Sequence, residues 1–284
     1  MRSRSSSVPI QEPVLIIELG RTEKNYWADV WRYRELFLML AWRDISVRYK
    51  QTVIGVAWAI LRPLLTMVVF TVIFGRLAKL PSDGDAPYAL MVFAAMLPWT
   101  LFATSLSDAS NSLLTSANLI SKVYFPRLIV PTATIVTAFA DFLVSLLMLL
   151  ALMVYYRFAP GWNMLLLPVF TLLALLASLG PGLSITALNV KYRDFRYVIP
   201  FVVQFGLYVS PVGFSTNVIP EQWRLLYSLN PMVGVIEGFR WCILGGASPI
   251  YWPGFALTLA AVAFSLWLGV SQFRKMERLF ADMI

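Results

Sequence analysis

The sequence predicts an all-α integral membrane protein with six transmembrane helices. Hydrophobic residues make up 59% of its 284 residues and charged residues only 13%, whereas soluble domains average about 45–50% and about 25%. Crossing a bilayer core of about 30 Å takes roughly 20 helical residues, and six apolar segments approach or exceed that length. The chain has too few charges to cover a water-soluble globule of its size.

Residue types that several enzyme classes need are missing. The sequence has no histidine, which excludes Ser-His-Asp triads and most zinc sites, and its one cysteine, Cys242, excludes an internal disulfide. Glycine is nowhere followed by lysine, so a Walker A phosphate loop is absent. We therefore expect no metal or cofactor in this chain. The net charge of +8 indicates membrane topology rather than nucleic-acid binding.

The polar N-terminal region is predicted to lie in the cytoplasm. Residues 1–30 form a tail, and residues 31–52 form an amphipathic helix in the inner headgroup layer. Its apolar side carries Leu36, Phe37, Leu40 and Ala41, and its polar side is basic. The alternative is a solvated helix that packs on protein.

The transmembrane domain is predicted over residues 53–273. Its apolar segments are 53–74, 88–106, 129–156, 164–190 with a kink at Gly180-Pro181, 198–214 and 253–273, and a tail over 274–284 follows. Arg62 and Asp141 are charges inside spans, which are costly unless protein or water compensates them. Arg62 is interpreted either as a substrate contact or as a structural residue, in the latter case paired with Asp141 or with backbone carbonyls.

The distribution of basic residues predicts the orientation. With both termini inside, 17 of the 23 Lys and Arg residues fall in inner segments and five in outer segments, while Arg62 lies within a span. Basic residues are enriched in cytoplasmic loops. Both termini are therefore predicted to be cytoplasmic.

Two segments are neither spans nor ordinary loops. Residues 108–128, on the inner side, hold Ser/Asn-rich turns and room for a short helix. Residues 220–247, on the outer side, hold two apolar stretches too short to cross, broken at Asn230-Pro231. Such stretches are typical of a re-entrant hairpin, which persists at membrane depth where protein or a water-filled cavity covers its backbone.

Seven motifs in fixed order carry a family resemblance. They are WRDISVRYKQTVIG at 42–55, WAILRP at 58–63, LPW at 97–99, NLISKVYFPR at 118–127, NVKYRD at 189–194, SPV at 210–212 and LNPM at 229–232. Together they closely resemble the permease subunit of bacterial type 2 ABC exporters for polysaccharides and polyol phosphates, over residues 30–284.

The resemblance implies a homodimer in the bacterial inner membrane with two separate ATP-binding subunits, which would hold ATP and Mg. The implied substrate is a lipid-linked polysaccharide, foremost O-antigen on undecaprenyl pyrophosphate, with teichoic acid or capsule as the alternative. Contacts with the ATPase are expected from a coupling segment at 108–128, through Asn118, Lys122, Tyr124, Phe125 and Arg127. An outer gate is expected at 220–247, through Asn230, Pro231, Met232, Glu237 and Arg240.

Aromatic and basic side chains are the candidates for substrate contacts. Aromatic rings stack on sugar C–H faces, and the candidates along the path, beside Arg62, are Trp58, Trp99, Phe102, Phe201, Phe205, Tyr208 and Phe214; core packing is the alternative for each. Lys191, Arg193 and Arg196 could bind pyrophosphate or simply anchor the inner loop, and Arg193 could pair with Asp194. For Glu237 and Arg240 a salt bridge on one helix face is favoured over a substrate contact.

Two other classes of protein compete with an exporter permease. An intramembrane glycolipid enzyme would need clustered carboxylates or a metal site at the membrane face, and the sequence shows no such cluster. A secondary transporter often carries inverted repeats, and none is visible. Both are less favoured than an ATP-driven exporter.

Overall fold

The computed structural model describes residues 26–50, 55–192, 194–246, 249–277 and 280. Within these ranges all regular structure is helical, as the composition predicts. The α-helices follow in order as α1 Tyr26–Arg32, α2 Arg34–Lys50, α3 Gly55–Phe70, α4 Tyr88–Thr115, α5 Ala117–Ile120, α6 Ile129–Tyr155, α7 Leu167–Lys191, α8 Phe195–Val209, α9 Glu221–Tyr227, α10 Pro231–Ile243 and α11 Trp252–Met276. The first two replace the single N-terminal helix expected at 31–52.

Five helical stretches are long and apolar enough to cross a membrane. They are Ile60–Leu77, where α3 continues as a π-helix, then α4, α6, the stretch Trp162–Lys191 containing α7, and α11. They match five of the six predicted spans. Helix α8 lies where the other span was expected but has 15 residues, about 22 Å at 1.5 Å per residue, less than the core thickness of about 30 Å. Six crossings therefore stay a prediction.

The second span is longer than the sequence suggested. Helix α4 was expected to end near residue 106 but continues to Thr115. The hydroxyls of Ser110 and Thr115 bond to carbonyls one turn earlier, Ser110 to Leu106 at 2.6 Å and Thr115 to Asn111 at 3.1 Å. Side chains that bond in this way satisfy themselves within a helix and do not break it. The segment between the second and third spans is therefore shorter than predicted, 116–128.

Helix α4 forms the centre of the bundle. In its apolar stretch 78% of the residues are buried, against 17–39% in the four other candidate spans. It packs against α6 and α7, and α7 packs in turn against α11. The core around α4 also includes one face of α10, so this short outer helix belongs to the body of the protein.

The close approach of α7 and α11 explains a glycine that the sequence assigned to a kink. Gly180 lies within the unbroken helix α7. A β-carbon there would clash with the backbone of Ser265, and one on Gly269 would clash with the carbonyl of Gly180. Glycine at both positions lets the two backbones touch.

A second apolar cluster joins the ends of several helices at one end of the bundle. It contains Tyr26 and Leu40 from the N-terminal helices, Phe125 before α6, Phe273 at the end of α11 and Phe280 beyond it. We call this the inner end, after its predicted orientation, and the opposite end the outer end. The coupling segment, defined from here on as residues 116–128, lies at the inner end.

Candidate functional site

Helix α8 presents an aromatic face that the other described residues leave uncovered. Phe201, Phe205 and Tyr208 are 69%, 60% and 60% exposed. Their spacing of four and three residues places them on one side of the helix. The rings of Phe201 and Phe205 stack with their centroids 6.1 Å apart. This aromatic face of α8 is the largest group of predicted path residues that the structure brings together.

The other predicted path residues have different surroundings. Trp99 is buried, and its indole fills the space beside Gly206, where α4 and α8 cross. Phe102 packs on Trp99 with ring centroids 5.6 Å apart, and Phe214 is half-buried in the connection after α8. Trp99 therefore serves packing. Arg62 is exposed on α3, and the side chain of Trp58 lies outside the described part.

Asp141 has partners that the sequence analysis did not consider. Its carboxylate accepts from the Arg48 guanidinium at 2.6 Å and from the Tyr49 hydroxyl at 2.5 Å. One interpretation from the sequence paired Asp141 with Arg62. In the structure the cation that pairs with Asp141 is Arg48 of α2, which lies outside the predicted spans.

The basic residues between α7 and α8 are accessible. Lys191 and Arg196 are exposed, and the Lys191 ammonium lies 5.0 Å from the centre of the Tyr192 ring. Arg193, with its suggested pairing to Asp194, lies outside the described residues. Phosphate binding and simple anchoring both stay predictions for this group.

The coupling segment presents three of its five predicted contact residues to solvent. Asn118, Lys122 and Tyr124 are exposed, whereas Phe125 is buried in the inner cluster. The loop from residue 120 to residue 125 lines a concave surface together with Arg127. A partner protein that docks here would contact Lys122 and Tyr124 directly and Phe125 only through its effect on the loop.

Arg127 binds the residue that follows α11. Its backbone N–H donates to the Glu277 carboxylate at 2.7 Å, and its guanidinium donates to the Glu277 carbonyl at 2.5 Å. The guanidinium also lies 6.0 Å from the centre of the Phe280 ring. Arg127 thus fixes the start of α6 to the C-terminal segment, a function that the sequence analysis did not anticipate.

A buried ion pair connects three segments at the outer end. The side chains of Arg240 in α10 and Asp83 before α4 are only 1% and 2% exposed, and their charged atoms are 3.8 Å apart. Arg240 donates to the carbonyls of Phe214 at 2.9 Å and Val212 at 3.2 Å. Asp83 accepts from the Ser215 hydroxyl at 2.5 Å. The network fixes α10 to the loop that follows α8.

Two expectations for the outer hairpin can be compared with this network. The ion pair favoured from sequence, Glu237 with Arg240, is wrong, because the carboxylate partner of Arg240 is Asp83. The predicted break at Asn230-Pro231 is confirmed. The Asn230 side chain accepts from the Met232 N–H at 3.0 Å and so caps α10, with Pro231 at its first position.

The two helices of the hairpin differ in burial. Helix α10 buries ten of its 13 residues, Met232 among them, whereas α9 buries none. The family resemblance implied that the whole segment 220–247 forms an outer gate. The Arg240 network and the burial of α10 instead fix α10 to the body of the protein. Helix α9, which buries no residue, is the less restrained of the two helices.

Sequence reasoning missed Asp83, Arg48 and Asp108 as members of polar networks. Arg48 lies between two carboxylates, because it also pairs with Asp108 at 2.9 Å. The sequence does contain an indication of these polar networks. Charged residues make up only 13% of the chain, and a charge at or near an apolar span needs a partner. Listing each charge within two turns of a span would have selected all three residues.

Comparison with known proteins identifies the family. Residues 35–244 match the model of the ABC-2 type transporter family. An O-antigen export system permease protein RfbA from Myxococcus xanthus is 28% identical over 258 residues, 90% of this chain and 98% of the relative. An RfbA from Klebsiella pneumoniae is 24% identical, covering 88% of this chain and 95% of the relative.

A third relative is more distant. The inner membrane transport permease YadH of Escherichia coli (strain K12) is 24% identical over 195 residues, 64% of this chain and 74% of the relative. The family match covers the coupling segment, the aromatic face of α8 and the Arg240 network. The chain belongs to the ABC-2 type transporter family.

Proposed function

We propose that this chain is the permease of an ATP-driven exporter that moves a lipid-linked O-antigen polysaccharide across the bacterial inner membrane. The observation that carries the proposal is the aromatic face of α8, three exposed rings on one side of an apolar helix. Relatives that align over nearly their whole length are O-antigen export permeases, which favours this glycan over teichoic acid or capsule.

The chemistry of a sugar polymer fits such a surface. Sugar C–H groups stack on aromatic rings without requiring a fixed pattern of hydroxyls. A row of rings can therefore hold successive sugars weakly and let the chain slide. The exposed Lys191 and Arg196 at the inner end are suited to the pyrophosphate of the carrier lipid, because cationic donors form strong charge-assisted bonds with phosphate.

The proposed assembly contains two permease copies and two ATP-binding subunits. The sequence lacks a Walker A loop, so ATP and Mg would bind the partner, which docks on Asn118, Lys122 and Tyr124. Both termini and the coupling segment lie in the cytoplasm in this arrangement. The exposed faces of α3 and α8 would line a path between the two copies, with α9 as the movable part of an outer gate beside the fixed α10.

Removing the aromatic face should impair export without unfolding the protein. We expect the combined change Phe201→Ala, Phe205→Ala and Tyr208→Ala to lower export at least about tenfold, since three ring contacts of at least about 0.5 kcal/mol each sum to about 1.5 kcal/mol, and about 1.4 kcal/mol is a factor of ten. The measurement is surface O-antigen in a strain whose own permease gene is replaced by the variant. Lipid-linked polysaccharide should accumulate on the inner face of its membrane.

A matched control keeps this result specific. Leu147 on α6 is 67% exposed, as apolar as the changed residues and on a different helix. Leu147→Ala should export normally. Normal export by the triple variant at wild-type protein levels would show that the aromatic face of α8 does not form the glycan path.

Two copies should meet at α8. Val202, next to the aromatic face, is 49% exposed. In a Cys242→Ser background, Val202→Cys is expected to crosslink between copies in native membranes under mild oxidation, because a disulfide forms only when the two Cα atoms lie within about 7 Å. Val169→Cys, on an exposed part of α7, serves as the control. Crosslinking at Val169 and not at Val202 would contradict the proposed arrangement.

A further inference from the structure

Arg48 binds two helices at once. Its guanidinium lies 2.9 Å from the carboxylate of Asp108 on α4 and 2.6 Å from that of Asp141 on α6. Neighbouring Tyr49 donates to the other oxygen of Asp141 at 2.5 Å. The end of α2 is thus joined to α4 and α6 through three charge-assisted bonds. We call these four residues the Arg48 junction.

The charges of the Arg48 junction favour the three bonds that form it. Burial alone would lower the pKa of Arg48, but the charges of Asp108 and Asp141 outweigh this effect and leave the pKa raised. Burial and the hydrogen bond to Asp141 raise the pKa of Tyr49, so its hydroxyl stays a donor. The three charged side chains are 26–35% exposed, so the junction lies at the surface of the described part of the chain and not inside its packed core.

The junction joins the two helices that flank the coupling segment. Helix α4 enters this segment at Thr115, and α6 leaves it at Ile129. Asp108 lies about two turns before the end of α4, and Asp141 lies near the middle of α6. A displacement of the coupling segment moves both helices, and Arg48 is the one described side chain that forms ion pairs with both.

We propose that Arg48 is a positioning residue that makes α2 follow α4 and α6, and so transmits movement of the coupling segment to the N-terminal helices. This inference rests on the proposed ATP-driven export. Packing against α6 holds α2 laterally, but apolar packing permits small sliding movements. Ion pairs to two helices restrict such sliding. Arg48 therefore acts through the helices that it joins and does not contact substrate.

The test is export per ATP hydrolysed, measured with the permease and its ATP-binding subunit in proteoliposomes. Arg48→Gln should lower this ratio about tenfold, within the range by which residues along a coupling route change coupling. ATP hydrolysis itself should change less than about twofold. Arg48→Lys keeps one charge but loses the two-sided contact of the guanidinium, and should fall between the wild type and Arg48→Gln.

Charge exchange separates positioning from general stabilisation. Arg48→Asp alone should uncouple the complex, and Arg48→Asp with Asp141→Arg should recover part of the ratio, because the attraction to α6 is restored with reversed polarity while Asp108 still faces a carboxylate. Arg43→Gln is the matched control, since Arg43 lies on the same helix and pairs only with the adjacent Asp44 at 2.8 Å among the described residues. It should leave the ratio unchanged.

The outcomes distinguish this inference from the function on which it rests. If the wild type exports with ATP and Arg48→Gln keeps the ratio of Arg43→Gln, the inference is overturned and the proposed function stands. If the exchanged pair recovers thermal stability without recovering export per ATP, Arg48 is structural only, and the inference again fails. If the wild type exports equally well without ATP, the proposed function itself is wrong.

Discussion

Replacing Arg240 with leucine is expected to destabilise the protein more than any other single charge removal at the outer end. The change leaves the carboxylate of Asp83 buried, 2% exposed, without its cation, and removes the donor from the carbonyls of Val212 and Phe214. Breaking a buried ion pair typically costs about 3–5 kcal/mol. The free energy of unfolding, measured by denaturant titration in mixed micelles, should fall by about that amount.

Two further variants separate the lost charge pair from the lost volume. Arg240→Leu combined with Asp83→Leu removes both charges and should recover part of the loss, since a buried pair replaced by apolar residues is often near neutral. Arg76→Leu changes an exposed arginine and should shift stability by less than about 0.5 kcal/mol. Equal stability of Arg240→Leu and Arg76→Leu would refute the anchoring of α10 by this network.

Changing the exposed part of the coupling segment should separate the permease from its ATPase. Lys122→Glu with Tyr124→Ala is expected to weaken binding of the ATP-binding subunit by at least about 2 kcal/mol, because tyrosine is enriched among the interface residues whose truncation costs that much. This corresponds to roughly thirtyfold in affinity. Copurification of the two subunits and stimulated ATP hydrolysis measure the effect.

Variants of neighbouring residues show whether the effect is local. Arg127→Ala removes the bond to the Glu277 carbonyl and should lower the thermal stability of the permease alone, whereas the change at Lys122 and Tyr124 should not. Arg76→Glu, at the outer end, should leave ATPase binding intact. If the ATPase binds the Lys122 and Tyr124 variant as tightly as the wild type, docking takes place on another surface.

Hydropathy was sufficient to predict most of the fold. Apolar runs of 20 or more residues leave helix as the one structure that satisfies the backbone in lipid, and α6 begins and nearly ends where its run does. The break before α10 was also predictable, because Asn230-Pro231 combines a capping side chain with a residue that lacks an N–H. The end of α4 was not predictable, since the serines after Leu106 are typical both of turns and of helices with internal side-chain bonds.

The polar networks depend on contacts that local sequence does not encode. Asp83 and Arg240 are far apart in the chain and meet only after α10 packs against α4. The same holds for Arg48 and Asp141, whereas Glu237 and Arg240, close in sequence, seemed the natural pair. The exposed aromatic face of α8 was partly predictable, because Phe201, Phe205 and Tyr208 recur at helical spacing. The packing of Trp99 was not predictable from local sequence, since its contact with Gly206 depends on how α4 and α8 cross.

ATP-driven translocation by the purified complex is the most direct test of the proposed function. The permease and its ATP-binding subunit are reconstituted in proteoliposomes with lipid-linked O-antigen polysaccharide, and glycan is measured on the side opposite the ATPase. Transfer should require ATP, Mg and both proteins, and should be lost in the Lys122→Glu and Tyr124→Ala variant. Transfer by the permease alone at the full rate, or ATP turnover that never moves glycan, would contradict it.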